Sequence, residues 1–395
     1  MTTATSAAGT DAKARAHAAV EANLADLLGL SHAIHADPEL SFTEDHAARR
    51  TVDVLRAGGF DVTEGVAGLP TAFSARAGSG PLVVALCAEY DALPEVGHAC
   101  GHNMIAASSV GAGLALAEVA DDAGLTVLVL GTPAEEGGGG KVLMLDAGLF
   151  DEAHLAMMVH PWPSDRITAN CLAVSHFDVH YRGKEAHAAA APWAGINAAD
   201  AMTIAQVAIG LLRQHLRPGD LVHGVVLDAG KAANVVPART TGRFMCRARS
   251  LEDLAILEPR VKQCFEAGAL ATGATVSYEV LCPTYSHMEP DADLMDLYRS
   301  NAETLGRNFD VDGVEPPPAI STDMANVSLA VPTIHPMIGI ETHGAVNHQA
   351  EFTAACVTAS ADAAVRDGAV ALAWTAIDAA VSPAVRDRLL ARRDS

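Results

Sequence analysis

The sequence predicts an α/β protein, a mostly parallel sheet covered by helices, interrupted by an inserted ferredoxin-like α+β unit. Three observations carry this. The apolar runs "PLVVALCA", "LTVLVLG" and "AHLAMMVH", between residues 81 and 160, alternate with helical stretches, as strands buried on both faces of a parallel sheet do. From about residue 172 the order becomes strand, helix, strand, strand, helix, strand. At 395 residues, half of them apolar, the chain is also longer than one ordinary domain.

The elements follow in order. The first dozen residues, rich in Ala, Thr and Ser, are expected to fray. "AKARAHAAVEANLADLLGLSHAIHA" has helical spacing that stops before Pro38, and "TEDHAARRTVDVLRAGG" is a second helix closed by Gly58 and Gly59. The inserted unit reads as "LAVSHFDVHYRG" (strand), "NAADAMTIAQVAIGLLRQHL" (helix), "LVHGVVLDAG" and "RTTGRFMCRAR" (strands), "LEDLAILEPRVKQCFEAGALA" (helix) and "TVSYEVLCP" (strand). After it "DADLMDLYRSNAETLG" is helical, "VEPPP" at 314–318 is a loop, "AVPTIHPMIGI" resembles one buried strand, and "TAACVTASADAAVRDGAVALAWTAI" is one long Ala-rich helix. The domain bounds are therefore 1–171 and 285–395 for the first domain, with 172–284 inserted.

A formal charge of -22, from 48 acids against 26 bases without a basic run, argues against nucleic acid or an anionic membrane as partner. No stretch offers 18 uninterrupted apolar residues, and the start lacks an apolar signal region. Seven scattered cysteines without a CxxC pair form no disulfide framework. The expectation is a soluble protein of a reducing cytoplasm that acts on small molecules.

Polar residues cluster where the first three strands end: Glu89 and Asp91, then Glu135 and Glu136, then His160. Open α/β sheets place ligands there. Thiolate, imidazole and carboxylate are what a borderline-soft cation accepts, and Cys100, His102, Glu136 and His160 supply them from separate strand ends. Rival readings are weaker. A base for Cys100 as nucleophile would normally arrive from elsewhere in the fold, not from His102 two residues along. "EEGGGGK" is no phosphate loop, because Glu135 stands where that motif needs glycine and Val142 where it needs Ser or Thr. An isolated Glu135–Glu136 pair would be an exposed acidic turn. Between an apolar strand and a glycine run, one carboxylate can bind metal while its neighbour moves a proton.

"AEYDALPEVGHACGHN", "PAEEGGGG", "VHP", "GKEAHAAAAPWAGINAADA", "NVVP" with Arg247 thirteen residues after Asn234, "STDMANVS" and "NHQAEF" resemble, in order and spacing, the zinc-dependent aminoacylase and carboxypeptidase-G superfamily of metallopeptidases. The resemblance spans nearly the whole chain. Within it the chain is similar to the amidohydrolase branch, nearest the dipeptidases acting on β-alanyl-lysine and Xaa-Arg and the aminobenzoyl-glutamate hydrolases. The resemblance implies a di-zinc exopeptidase-like catalytic domain and an inserted domain that pairs two subunits. Cys100, His102, Glu136, His160 and His348 match the metal ligands, Glu135 the general acid/base, and Asp91 the aspartate supporting the metal cluster. His187 matches a histidine that reaches the other subunit's site and polarises the scissile carbonyl; Asn234 and Arg247 match residues holding the substrate.

Two divalent ions per subunit are implied, zinc first, with manganese or cobalt as alternatives. A metal-bound water would attack the amide of a dipeptide or N-acyl amino acid, in a homodimer. The rival from another class is a non-catalytic binding relative, which would be expected to lack ligands or the base. Two departures matter: Glu89 stands where the wider superfamily has a histidine ligand, the resemblance implying that His102 supplies that imidazole as elsewhere in the branch, and Asn103, a neutral amide, stands where many branch members have aspartate. His343, five residues before His348, reads as a loop residue.

Overall fold

The computed structural model describes residues 2–315 and 319–391, so Pro316–Pro318 of the "VEPPP" loop lie outside the described residues. The chain divides into two compact units, Met1–Asn170 with Met288–Ser395, and Cys171–His287.

Along the chain, α1 (Thr2–His35) and α2 (Asp45–Ala57) precede β1 (Asp61–Glu64), β2 (Phe73–Gly78) and β3 (Leu82–Ala88). Then come α3 (His102–Ala117), β4 (Leu125–Gly131), α4 (Gly140–Asp146) and β5 (Leu155–Met157). The second unit runs β6 (Ala173–Arg182), α5 (Ala198–Leu212), β7 (Leu221–Asp228), β8 (Arg239–Ala248), α6 (Leu251–Thr272) and β9 (Thr275–Val280). The chain returns to the first unit with α7 (Ala292–Thr304), α8 (Met324–Ala330), β10 (Thr333–Ile334) and α9 (Ala359–Val381).

The large sheet has the order β1-β2-β4-β3-β5-β10. β4, β3, β5 and β10 are parallel, whereas β1 and β2 add an antiparallel edge. Every residue of β3 and β4 is buried, because helices cover both faces and the strands are apolar throughout. From β3 the chain crosses to β4 on one side, then returns past α4 to β5 on the other. That reversal leaves a crevice at the carboxyl ends of the strands, where the polar loops gather.

One layer of helices is built from small residues. α3 packs on α1 and α9, and a Cβ on Gly111 would lie 2.8 Å from Leu27 and 2.9 Å from Ala369. The same packing explains why the expected frayed start is instead helical from Thr2: Ala12, Ala16, Val20 and Leu27 of α1 are buried in the core. Two other expectations also change. The single Ala-rich helix is a short one, Ala350–Ala355, followed by α9, whose N-terminus is capped by the Thr358 side chain accepting from Ala361 N–H. "AVPTIHPMIGI" forms two short strands, β10 and Met337–Gly339, separated at Pro336, which has no N–H for a ladder.

In the second unit β9-β6-β8-β7 form an antiparallel sheet, with α5 and α6 packed on one face. Phe177 of β6 and Phe244 of β8 meet Phe265 of α6 in edge-to-face contacts, the latter pair 4.7 Å apart. No single described helix is long and apolar enough to cross a membrane.

Candidate active site

The site is assembled at the carboxyl ends of β3, β4 and β5. Glu89 and Asp91 follow β3, Glu135 and Glu136 follow β4, and His160 follows β5. Gly101, at φ +77°, lets the chain turn into α3; a Cβ there would lie 2.8 Å from Pro161. Around this turn three groups of ligand atoms lie within 4.8 Å of one another: Cys100, His102 and His160; Cys100, Glu136 and His348; His102, Glu135 and Glu136.

Asp91 organises them. Its Oδ1 is 3.1 Å from His102 Nδ1, and its Oδ2 accepts from Glu136 N–H at 3.0 Å and from the Ser41 hydroxyl at 3.2 Å. With Nδ1–H donated to Asp91, Nε2 of His102 faces the cluster, where a bound cation would take the place of its proton. That nitrogen is buried and has no hydrogen-bond partner. His160 is oriented in the same way, its Nδ1–H donating to the Pro161 carbonyl at 2.9 Å and leaving Nε2 as the ligand atom.

The electrostatics concentrate acidic groups on one buried volume. Burial, then Glu136 and the other carboxyls, pushes the Cys100 thiol well up. Burial, then Glu89 and Glu136, raises Glu135 well above the carboxylate range. Burial favours a neutral His102, but Asp91, Glu89 and Glu136 outweigh it and raise its pKa. Burial, then His335 and His102, lowers His160. A divalent ion would deprotonate such a thiol and acid pair.

The turn carrying Glu135 is held rigidly. Ala134 adopts φ +61°, and its N–H donates to Glu44 Oε1 at 2.9 Å. Glu44 also accepts from Phe42 N–H at 2.9 Å and the Thr71 hydroxyl at 2.8 Å. A Cβ on Gly140 would lie 1.9 Å from the Pro133 carbonyl oxygen, so the glycine run is close packing. Glu135 is buried, not part of an exposed acidic turn.

His348 Nε2 lies 3.9 Å from Glu136 Oε2, and the His348 backbone N–H donates to Ala99 O at 2.9 Å. His343 pairs instead with Glu341 at 3.7 Å and joins none of the ligand groups. Asn103 faces away from the ligands: its amide donates to Ser31 Oγ at 2.8 Å and Cys356 O at 3.1 Å, tying α3 to α1 and to the chain before α9.

Some site residues escaped the sequence reading. Glu44 is one. Another set is Lys141, fully buried, with Nζ 2.5 Å from Glu89 and 2.6 Å from Asp323. His335 is a third, buried with both ring nitrogens unpartnered and its ring 5.4 Å from that of His160. The available signals were a lysine between buried strands and a histidine within an apolar run.

In the second unit His187 and Asn234 lie on adjacent segments, linked by Ala188 N–H donating to Asn234 O at 2.9 Å. His187 Nδ1 accepts from Ala189 and Ala190 N–H at 3.2 and 3.1 Å, so a neutral ring carries its proton on Nε2. Arg247 lies on β8, and burial lowers its pKa.

The model of peptidase family M20/M25/M40 matches residues 85–366. The chain belongs to this family. It is 39% identical over 378 residues to the Xaa-Arg dipeptidase of Mus musculus, covering 91% of this chain and 87% of that protein. It is 31% identical over 290 residues to a p-aminobenzoyl-glutamate hydrolase chain of Escherichia coli, covering 68% of this chain and 60% of the other. Among solved structures, an M20 family dinuclear metal-binding peptidase from Bacillus subtilis superposes with a TM-score of 0.68 at 21% identity, covering 90% of this chain and 98% of the other. An aminobenzoyl-glutamate utilization protein from Klebsiella pneumoniae gives 0.70 at 20% identity, covering 90% and 96%.

This M20 protein is a metal-dependent hydrolase of amide bonds. Its residues fit the metal: an orphaned buried imidazole nitrogen, a thiol, a second imidazole with a free lone pair and several carboxyls converge on one volume.

Proposed function

We propose that two divalent ions are held by Cys100, His102, Glu136, His160 and His348, and that the enzyme hydrolyses a dipeptide or N-acyl amino acid. The observation that carries this reading is that Cys100 belongs to two ligand groups, one with His102 and His160, the other with Glu136 and His348. Such a shared residue suits paired ions. Thiolate and imidazole favour zinc, and manganese or cobalt would accept the same set. When bound, the ions polarise the substrate carbonyl and acidify a water.

Glu135 takes the proton of the attacking water and returns it to the leaving amine. His187 donates from Nε2 to the developing oxyanion. Arg247 holds the substrate carboxylate through its planar fork, and Asn234 orients the amide. His187 acts from the second subunit of a homodimer. The exposed apolar side chains Leu221, Val225 and Leu227 on edge strand β7, with Val207 and Leu211 on α5, support pairing of the two sheets there. None of the seven cysteines, all among the described residues, forms a disulfide, which suits a cytoplasmic location.

The named relatives frame the substrate test. Dipeptides with basic, acidic and aromatic carboxyl-terminal residues, and p-aminobenzoyl-glutamate, are compared by amino-acid release. Cleavage of free-carboxylate dipeptides supports the dipeptidase reading. Cleavage of p-aminobenzoyl-glutamate alone replaces it with the amidohydrolase reading, and no cleavage leaves the non-catalytic relative.

A further inference from the structure

We propose that Glu89 is an additional ligand of the metal centre, held toward it by the buried ammonium of Lys141. The inference rests on the reading that the centre binds divalent ions.

Glu89 is fully buried at the end of β3. Its Oε1 lies 2.5 Å from Lys141 Nζ, an ion pair whose angles fall outside hydrogen-bond geometry. The same ammonium is 2.6 Å from Asp323 Oδ1, and Lys141 N–H donates to Asp323 Oδ2 at 2.9 Å. Lys141 is therefore fixed from two directions, and it fixes Glu89 in turn.

The other oxygen, Oε2, has no hydrogen-bond partner, and 3.5 Å away stands His102 Nε2, which has none either. The two atoms face each other as an ion pair without a hydrogen bond, an arrangement that a cation between them would satisfy more fully. Two ligands about 2.1 Å from one ion at the tetrahedral angle stand about 3.4 Å apart. Of the carboxylates facing His102 Nε2, Glu89 is the nearest at 3.5 Å, ahead of Glu135 at 3.8 Å and Glu136 at 3.9 Å. An ion shared by Glu89 Oε2 and His102 Nε2 satisfies both atoms without moving either. A triad serving only stability would have no need to aim an oxygen at a ligand nitrogen, since buried ion pairs are often replaceable by apolar groups.

The test uses the full chain, stripped of metal, titrated with cobalt(II) in a calorimeter and followed by its visible spectrum. Wild type should take up two ions. Glu89→Gln, which keeps the shape, should keep one ion at wild-type affinity, weaken the other at least about tenfold, and shift the spectrum. Glu89→Asp keeps the charge beside Lys141 but withdraws the oxygen, and should show the same loss. Wild-type affinity for both ions with an unchanged spectrum in either folded variant overturns the inference while leaving the functional reading intact. Wild type that binds no ion overturns both. Independent of any variant, a zinc-grown crystal of the wild type should place an ion about 2.0–2.2 Å from Glu89 Oε2; a separation beyond about 3 Å overturns the assignment.

Discussion

The proposed role of Glu135 in proton transfer fits its setting: burial, then Glu89 and Glu136, make it hold a proton more tightly than an ordinary carboxylate. Glu135→Gln keeps size and polarity but cannot accept the water's proton. Turnover should fall by about 10²–10⁴-fold while metal content by elemental analysis stays at the wild-type level. That Cys100, His102, Glu135 and Glu136 come together was legible in sequence, because they sit in short strings of chemistry-bearing residues beside predicted strand ends. Lys141, His335 and Glu44 were not, since a lone lysine, histidine or glutamate reveals its role only through burial, and burial of single polar residues is set by tertiary packing. Asn103 shows the converse: adjacent to a ligand in sequence, it faces α1.

At the scale of elements, the turn after β4 depends on a distant segment. Glu44, at the start of α2, accepts from Ala134 and Phe42 N–H and from Thr71, and burial followed by the nearby Asp91 raises its pKa from 4.5 to about 7. The folded state therefore binds this proton more tightly than the unfolded chain. Its contribution to stability is complete below about 4.5 and is lost as pH rises through about 7. Glu44→Gln retains one oxygen for both N–H donors, and its amide can donate to Thr71. Thermal midpoints of the metal-free protein, measured from pH 5 to 8, should fall less with rising pH in Glu44→Gln than in wild type; parallel curves would contradict this account. The strands themselves were legible as continuous apolar runs. The helix break before α9 was not, because alanine continues a helix on either side and only the Thr358 cap and packing end it.

For the whole molecule, the change from a parallel α/β pattern to βαββαβ order marked the inserted unit, since the hydrophobic period and element order both shift near residue 172. The antiparallel edge of β1 and β2 was missed: β1 is largely exposed and offers little apolar signal. The proposed delivery of His187 to a partner subunit's site leads to a prediction about assembly. Mixing His187→Ala with Glu135→Gln subunits, under conditions that exchange them, should restore activity, because one site in each mixed dimer regains both residues. No recovery despite proven exchange would remove the shared site.

The most direct measurement concerns the metal. Metal-free wild-type protein is titrated with zinc, manganese or cobalt while bound ion and amino-acid release from a cleavable dipeptide are recorded together. Activity should be absent at the start and rise with occupancy to a plateau at two ions per chain. Full hydrolysis by the metal-free protein, or saturation of binding with no hydrolysis of any dipeptide or N-acyl amino acid, would contradict it.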